Sequence, residues 1–329
     1  MGSGCSSART SRVTPSDGGS ARPSHWVQLK KEQSLKGFGL CVVNPESNAS
    51  TWAALERFLE VDDPRNLGYG RDVKQSVGKY VRLRLVRAWR IQNPALWARY
   101  AAGKDKIRAD IRSIAKSNKA YSRRAPGLPL RLHERAAALP GPQLDSEVRE
   151  TMLMHGTKPQ VLLDILANGP NERYSGGNSL FGHGCYFGED ADKVDQYITV
   201  DPAFARLRGS EGILHARLYG TARQQKHPGN VYYILICRVA LGHYARTLEK
   251  APLSKSLEDG NPVFARGDNP RELSEVPGVR PPVHYHALIG EKGPGHARHR
   301  EVIIFHGEFF YPEYLLAIQR MSPKGVALG

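Results

Sequence analysis

The spacing of apolar and polar positions changes several times along the chain, and each change predicts an element. In residues 79–91, Val81, Leu83 and Leu85 alternate with Arg82 and Arg84, which predicts a strand with one buried face. The period then lengthens. Leu96, Tyr100, Ile107, Ile111 and Ile114 form a helical stripe, and Asn93-Pro94 ahead of it supplies a capping side chain and a first-turn proline. A shorter helix is predicted over 51–59, with Trp52, Leu55, Phe58 and Leu59 on one face. Thr157-Lys158-Pro159-Gln160 reads as a capping box that opens another helix. Val161, Leu162, Ile165 and Leu166 form its buried face, and Gly169 ends it. Glu189-Asp190-Ala191-Asp192 puts acids in the first turn of a further helix, on which Val194 and Tyr197 share a face. Residues 231–241 form a long apolar run interrupted only by Arg238, predicting a central strand covered on both sides. Two more strands are predicted at 301–305 and 311–318, joined by His306-Gly307-Glu308. Several strands and few helices, without a strand–helix rhythm, predict an α+β fold with mainly antiparallel sheets and short helices.

The intervening stretches punctuate this pattern. Residues 120–146 and 247–283 are rich in Pro, Gly and charge and predict loops, the second long enough to be functional. Residues 171–184 are Gly-rich and predict a mobile loop feeding Cys185-Tyr186-Phe187. Residues 1–25 hold Ser, Gly and Arg with almost nothing to bury and are expected to be disordered. Residues 26–76 are expected to be a small N-terminal extension, 77–322 the main domain and 323–329 a tail.

Composition narrows the function classes. No run of about 18 apolar residues exists, so no transmembrane segment is predicted, and there is no secretory core near the start. The four cysteines, Cys5, Cys41, Cys185 and Cys237, form no C-x-x-C pair, which argues against a thiolate zinc site and a disulfide framework. A reducing intracellular compartment follows, cytoplasmic or nuclear. The net charge is +15, and residues 71–135 carry 18 Lys/Arg against 4 Asp/Glu. That excess suits nucleic acid or an acidic membrane surface, and suits a solvated basic helix face equally well. The opening Met1-Gly2-Ser3-Gly4-Cys5-Ser6 fits the N-myristoylation pattern, with Gly2 as acceptor. One acyl chain binds membranes only marginally, so Cys5 is the candidate for the second chain that peripheral anchoring needs.

The candidate chemistry lies between 152 and 201. His155-Gly156-Thr157 stands before a predicted helix N-terminus, where backbone N–H groups are available to a ligand. A glycine-rich loop follows, then Tyr186 and, eleven residues on, Tyr197. This combination suits a pocket for a flat polar ligand. Taken singly, the tyrosines read as core packing, the histidine as a cap and a strand-end glutamate as solvated.

Taken in order, His155-Gly156-Thr157, Phe181-Gly-x-Gly-x-Tyr186-Phe187, Tyr197 and Glu301 before an apolar strand resemble the catalytic domain of the poly(ADP-ribose) polymerases. These are the His-Tyr-Glu class of ADP-ribosyltransferases. Trp89 through Tyr100, Ile236 through Gly242 and the closing Glu301–Leu316 resemble the family's strands as well, the last in the manner of its tankyrase-like members. The likeness covers about residues 77–322. It implies the ADP-ribosyltransferase fold around an NAD cleft, NAD as substrate, nicotinamide as released product, protein acceptors that include the chain itself, and no metal. By the same likeness Gly156 would pair with the nicotinamide carboxamide and His155 would donate to a ribose hydroxyl. Tyr186 and Tyr197 would stack on the ring, with Thr157 and Phe187 beside them. Lys193 would lie near the pyrophosphate and acceptor, and Glu301 would be the chemical residue. Glu308 and Glu313 compete with Glu301, which is preferred because the family places its glutamate directly before the apolar run.

There are departures from the pattern. Val194 stands where many members have a carboxamide-binding serine, Pro170 where a Phe is common, and His183 where a small or basic residue is frequent. No zinc-finger cysteines or ankyrin repeats precede the domain, so basal activity is expected not to need DNA. Three other readings compete: a non-catalytic NAD or ADP-ribose binding module held at a membrane, an RNA 2′-phosphotransferase, and a nucleic-acid-binding protein with steep salt dependence.

Overall fold

Twelve strands and six α-helices form among the described residues. The computed structural model describes residues 23, 26, 37–68, 80–118, 132–176, 179–202, 209–220, 227–293 and 297–328. The acylation candidates Gly2 and Cys5 lie outside them, as do 71–79 and 119–131 of the basic stretch. The strands are β1 (Gly39–Val42), β2 (Arg82–Gln92), β3 (Glu150–Thr157), β4 (Cys185–Gly188), β5 (Tyr232–Ala240), β6 (Tyr244–Thr247), β7 (Phe264–Arg266), β8 (Asn269–Leu273), β9 (Ala287–Gly290), β10 (Glu301–Ile304), β11 (Phe310–Met321) and β12 (Ala327–Leu328). The helices are α1 (Ala49–Phe58), α2 (Pro94–Ser117), α3 (Leu132–Ala137), α4 (Pro159–Asn168), α5 (Ala191–Asp195) and α6 (Gly209–Tyr219).

Ten strands share one sheet, ordered β1-β2-β11-β5-β3-β4-β10-β9-β6, with β12 added beside β11. Only the β6–β9 pair is parallel. The predicted α+β class with mainly antiparallel pairing therefore holds. β5 lies between β11 and β3 and is buried at every residue, as its apolar run requires, with Arg238 buried against carboxylates. In β2 the alternation is present: Leu83 and Leu85 are buried while Arg82 and Arg84 are exposed. Asn93 accepts a hydrogen bond from the Leu96 N–H, and Pro94 occupies the first turn of α2, a 24-residue helix that exceeds the short helices expected.

The sheet has a seam. β3 and β5 are paired from Glu150↔Ala240 through Thr157↔Tyr233. β3 and β4 share a single registered pair, Met154↔Gly188. On the far side β4 pairs with β10 over all four of its residues. The sheet thus consists of two well-laddered halves joined at one point, and the strand ends beside that point are available to line a cleft.

Several expectations are corrected. Thr157 ends β3 and is not a cap; Lys158 takes the N-cap position without a side-chain cap bond. The buried face of α4 is Leu162, Leu163 and Leu166, with Val161 exposed and Ile165 half-buried. Within 120–146, residues 132–137 form α3. The stretch 247–283 is not a plain surface loop. It carries β7–β8 and buries Val263, Phe264, Leu273, Val276, Val279 and Val283 in a second hydrophobic cluster with Phe181 and Phe305.

The loop at 171–184 is braced from the same insertion. Arg271 donates to the carbonyls of Glu172, His183 and Ser175, and the His183 N–H donates to Pro270 O. At the N-terminal side, β1 extends the main sheet and Leu55, Phe58 and Leu67 join the main core, so residues 39–67 pack as part of the domain. The last residues, expected as a tail, add β12. Many cations of the basic stretch are engaged internally. Arg108 meets Asp105, Asp145 and Glu147, Lys104 meets Asp145 and Glu150, and Lys106 meets Asp110.

Candidate active site

The site lies at the seam. A cavity of about 110 Å³ is lined by Met154, His155, Gly156, Tyr186, Phe187, Gly188, Lys193, Val194, Tyr197 and Glu301. A wider cavity of about 460 Å³ adjoins it; His155 and Tyr186 line both, and Thr157, Asp164, Asn168, Pro170 and Ser175 belong to the second alone. Of the site residues expected from the sequence, His155, Gly156, Tyr186, Phe187, Lys193, Val194, Tyr197 and Glu301 line the smaller cavity, and Thr157 lines the wider one alone.

His155 bridges the seam where the backbone ladder stops. Its Nδ1 lies 2.8 Å from the Tyr186 carbonyl oxygen. A carbonyl only accepts, so Nδ1 carries the proton. Burial pushes the His155 pKa below its ordinary value, against the smaller opposing pull of that hydrogen bond. The ring is therefore neutral at pH 7, and Nε2 is a lone-pair acceptor. A ribose hydroxyl meeting it would donate to His155, the reverse of the direction expected from sequence.

Gly156 has a packing reason to be glycine. A Cβ there would stand 2.7 Å from the Val194 carbonyl oxygen and 3.0 Å from the Ile198 side chain. The short helix α5 thus sits directly against the β3 backbone, and Val194 also reaches within 3.0 Å of where a Gly188 Cβ would be. Gly156→Ala is expected to lower stability by about 1–3 kcal/mol through overpacking. Its denaturant midpoint checks this, and an unchanged midpoint would mean that α5 can retreat at no cost.

Tyr186 is fixed at both ends. Its backbone lies in β4, while its hydroxyl donates to Gly182 O at 2.7 Å and accepts from the Phe181 N–H at 2.8 Å. Burial raises its pKa well above the ordinary phenol value, so it stays a neutral donor. Phe187 packs its ring 5.5 Å from His155 and 5.2 Å from Phe310, backing the cavity wall. Tyr197 is 37% exposed and stands at the mouth.

Glu301 opens β10 and is registered between Gly188 of β4 and Gly290 of β9. Lys193 and Glu301 are each 3% exposed and form an ion pair of 3.0 Å. Lys193 Nζ also donates to the Tyr197 hydroxyl at 3.0 Å. Charge, cation and aromatic ring therefore line up along one wall: Glu301, Lys193, Tyr197. The rival glutamates lie elsewhere. Glu313 is paired with Arg238 and Arg90 inside the sheet, and Glu308 is part of a 3-10 turn at 307–309.

Sequence reasoning did not single out Met154 and Gly188. Their importance comes from the one registered pair of the seam, and no local pattern announces a cross-strand partner. The residues of the wider cavity from α4 and the following turn were missed for a similar reason, since they read as helix surface. A model of the poly(ADP-ribose) polymerase catalytic domain matches residues 68–320 of the chain.

Proposed function

The chain belongs to the poly(ADP-ribose) polymerase catalytic-domain family, and on that premise we propose that it transfers ADP-ribose from NAD to protein acceptors, itself included, releasing nicotinamide. The observation that carries the proposal is the buried Glu301–Lys193 pair on the wall of a cavity shared with His155, Gly156 and Tyr186. The residues suit the substrate. A flat apolar and amide-bearing group fits the small cavity beside Tyr186 and the Gly156 backbone. The adjoining larger cavity leaves room for the rest of the dinucleotide.

The chemistry is cleavage of the glycosidic bond between nicotinamide and ribose. Nicotinamide leaves with the bonding electrons, and positive charge develops on the ribose. A fixed carboxylate near that centre stabilises the transition state more than the ground state. Glu301 takes this role. Lys193 holds one of its carboxylate oxygens, and His155 accepts a ribose hydroxyl proton in a hydrogen bond. Aromatic stacking on Tyr186 contributes roughly 0.5–1.5 kcal/mol beyond area burial. Exclusion of water by Phe187 and the braced 171–184 loop strengthens each of these electrostatic terms.

The test is incubation of the full chain with labelled NAD, following nicotinamide release and label on protein, with and without DNA. Label on protein without DNA is the expected result. Binding without nicotinamide release would instead make the chain an NAD-binding module. Product length on a gel reads polymer against single units.

Val194 supplies a second expectation. It offers no hydroxyl at a position that lines the small cavity. Val194→Ser should tighten binding of NAD or a nicotinamide analogue by roughly 2- to 12-fold, the worth of one neutral hydrogen bond. Calorimetric affinity that does not move would show that the carboxamide does not reach this residue.

A further inference from the structure

Behind the cavity wall, three side chains with metal-ligand chemistry converge from two elements. Asp190 holds the N-cap position of α5 but makes no cap bond with its side chain. Asp192 lies in the first turn of the same helix, and His299 stands two residues before Glu301. One ligand atom from each lies within 4.8 Å of the other two. Asp192 is 5% exposed and His299 6%.

The hydrogen bonding of the ring assigns its protons. Nδ1 of His299 lies 3.2 Å from Asp190 Oδ2. A carboxylate accepts, so Nδ1 carries a proton, and Nε2 is the ring atom left for a ligand. That Nε2 is buried and makes no hydrogen bond. It faces Asp192 Oδ2 across 3.7 Å. A buried carboxylate across that gap calls for positive charge between the two groups, which a ring proton or a metal ion bound to both would supply. Two zinc bonds of about 2.1 Å meeting at a tetrahedral angle span roughly 3.4 Å, close to the gap present. The Asp190 contact completes the pattern, since a carboxylate on the far ring nitrogen is what orients a metal-binding imidazole and raises its basicity.

We propose that Asp192 and His299, oriented by Asp190, form a site for a divalent metal ion of zinc-like preference, with water in its remaining positions. A carboxylate and an imidazole suit zinc, and manganese less well. The ion would tie α5 to the start of β10, beside Lys193 and Glu301, and so hold the cavity wall in place. This site stands apart from the NAD reading and does not depend on it.

A second cluster, Asp201, His215 and His227, also has ligand-type residues within reach of one another. Its Asp201 is already engaged by other side chains, although His227 Nε2 is buried without a hydrogen bond, 3.6 Å from Asp201 Oδ2. His215 Nε2 meets both Asp201 oxygens at 2.9 and 2.8 Å, and the Tyr233 hydroxyl donates to Oδ2 at 2.6 Å. His227 Nδ1 accepts the Gly229 N–H at 3.1 Å, which puts the ring proton on Nε2 and removes the lone pair a metal needs. It serves as the control.

The experiment is titration of the demetallated full chain with Zn²⁺ by calorimetry and, separately, with Co²⁺ by visible absorption. One ion per chain is expected, with a cobalt spectrum of low coordination number that includes nitrogen. His299→Ala and Asp192→Asn should abolish the saturable binding. Asp190→Asn should weaken it roughly 10- to 100-fold, and His215→Ala should leave it intact. The cobalt spectrum of the wild-type chain needs no variant, so a variant that fails to fold does not block the test. Absence of saturable binding by the wild-type chain, equal binding by His299→Ala, or loss in His215→Ala instead would overturn the proposal.

Discussion

Glu301→Gln should slow nicotinamide release from NAD by roughly 10²- to 10³-fold while leaving NAD affinity nearly unchanged, the scale of removing one preorganised electrostatic group from a buried site. The substitution keeps the shape and one acceptor oxygen but removes the charge. The position is held by backbone on both sides, registered to Gly188 and Gly290, so the side chain cannot relocate. The charge matters most when the ribose is most cationic, which is a transition-state property and therefore lowers the rate more than the binding. Lys193 is buried and loses its counter-charge, but the amide oxygen still faces it, so the fold should persist with a lower melting temperature. Single-turnover rates and calorimetric affinity on the same preparation separate the two effects. Glu308→Gln is the matched control, because Glu308 lies in the 307–309 turn away from the cavity. A Glu301→Gln rate equal to wild type would remove Glu301 from the chemistry.

The separation of Glu301 from its rivals shows how far the chain can be read without coordinates. Elements whose burial is uniform or strictly alternating were legible. β5 is apolar but for Arg238, and β2 alternates from Arg82 to Leu85, though Val81 just before it is 40% exposed. β3 was not legible as a strand. It opens with Glu150, whose burial is tolerable because Tyr100, Arg238, Lys104 and the Asp145 N–H all reach its carboxylate. The 247–283 stretch misled for the opposite reason. Its valines are scattered among prolines and charges and become a cluster only when the insertion folds back on Phe181 and Phe305. In the site, the residue types were legible through ordered motifs. Partnerships were not: the Lys193–Glu301 pair spans residues far apart in sequence, and the direction of the His155 hydrogen bond follows from a Tyr186 carbonyl that no motif mentions.

Glu313 resembles Glu301 in sequence, each a carboxylate beside an apolar run, and its role is best exposed through its partner. Arg238→Met is expected to cost about 3–5 kcal/mol of stability, the largest such effect predicted for the fold, because it strips the shared cation from two buried carboxylates. Arg238 Nε meets Glu313 Oε2, Nη1 meets Glu150 Oε1 at 3.2 Å, and Nη2 donates to Pro142 O at 2.7 Å. Burial alone would depress the Arg238 pKa; the two carboxylates outweigh it and hold the guanidinium charged. The remaining cations are poor substitutes, with Arg90 3.6 Å from Glu313 and Lys104 3.5 Å from Glu150. Replacing the carboxylates as well removes the uncompensated charge. The triple variant Arg238→Met, Glu150→Gln, Glu313→Gln should therefore recover part of the loss, a non-additivity that direct packing damage would not produce. Denaturant midpoints of the single and triple variants measure it. A single-variant cost below about 1 kcal/mol would mean that water reaches this network and that the β3–β5–β11 core does not depend on it.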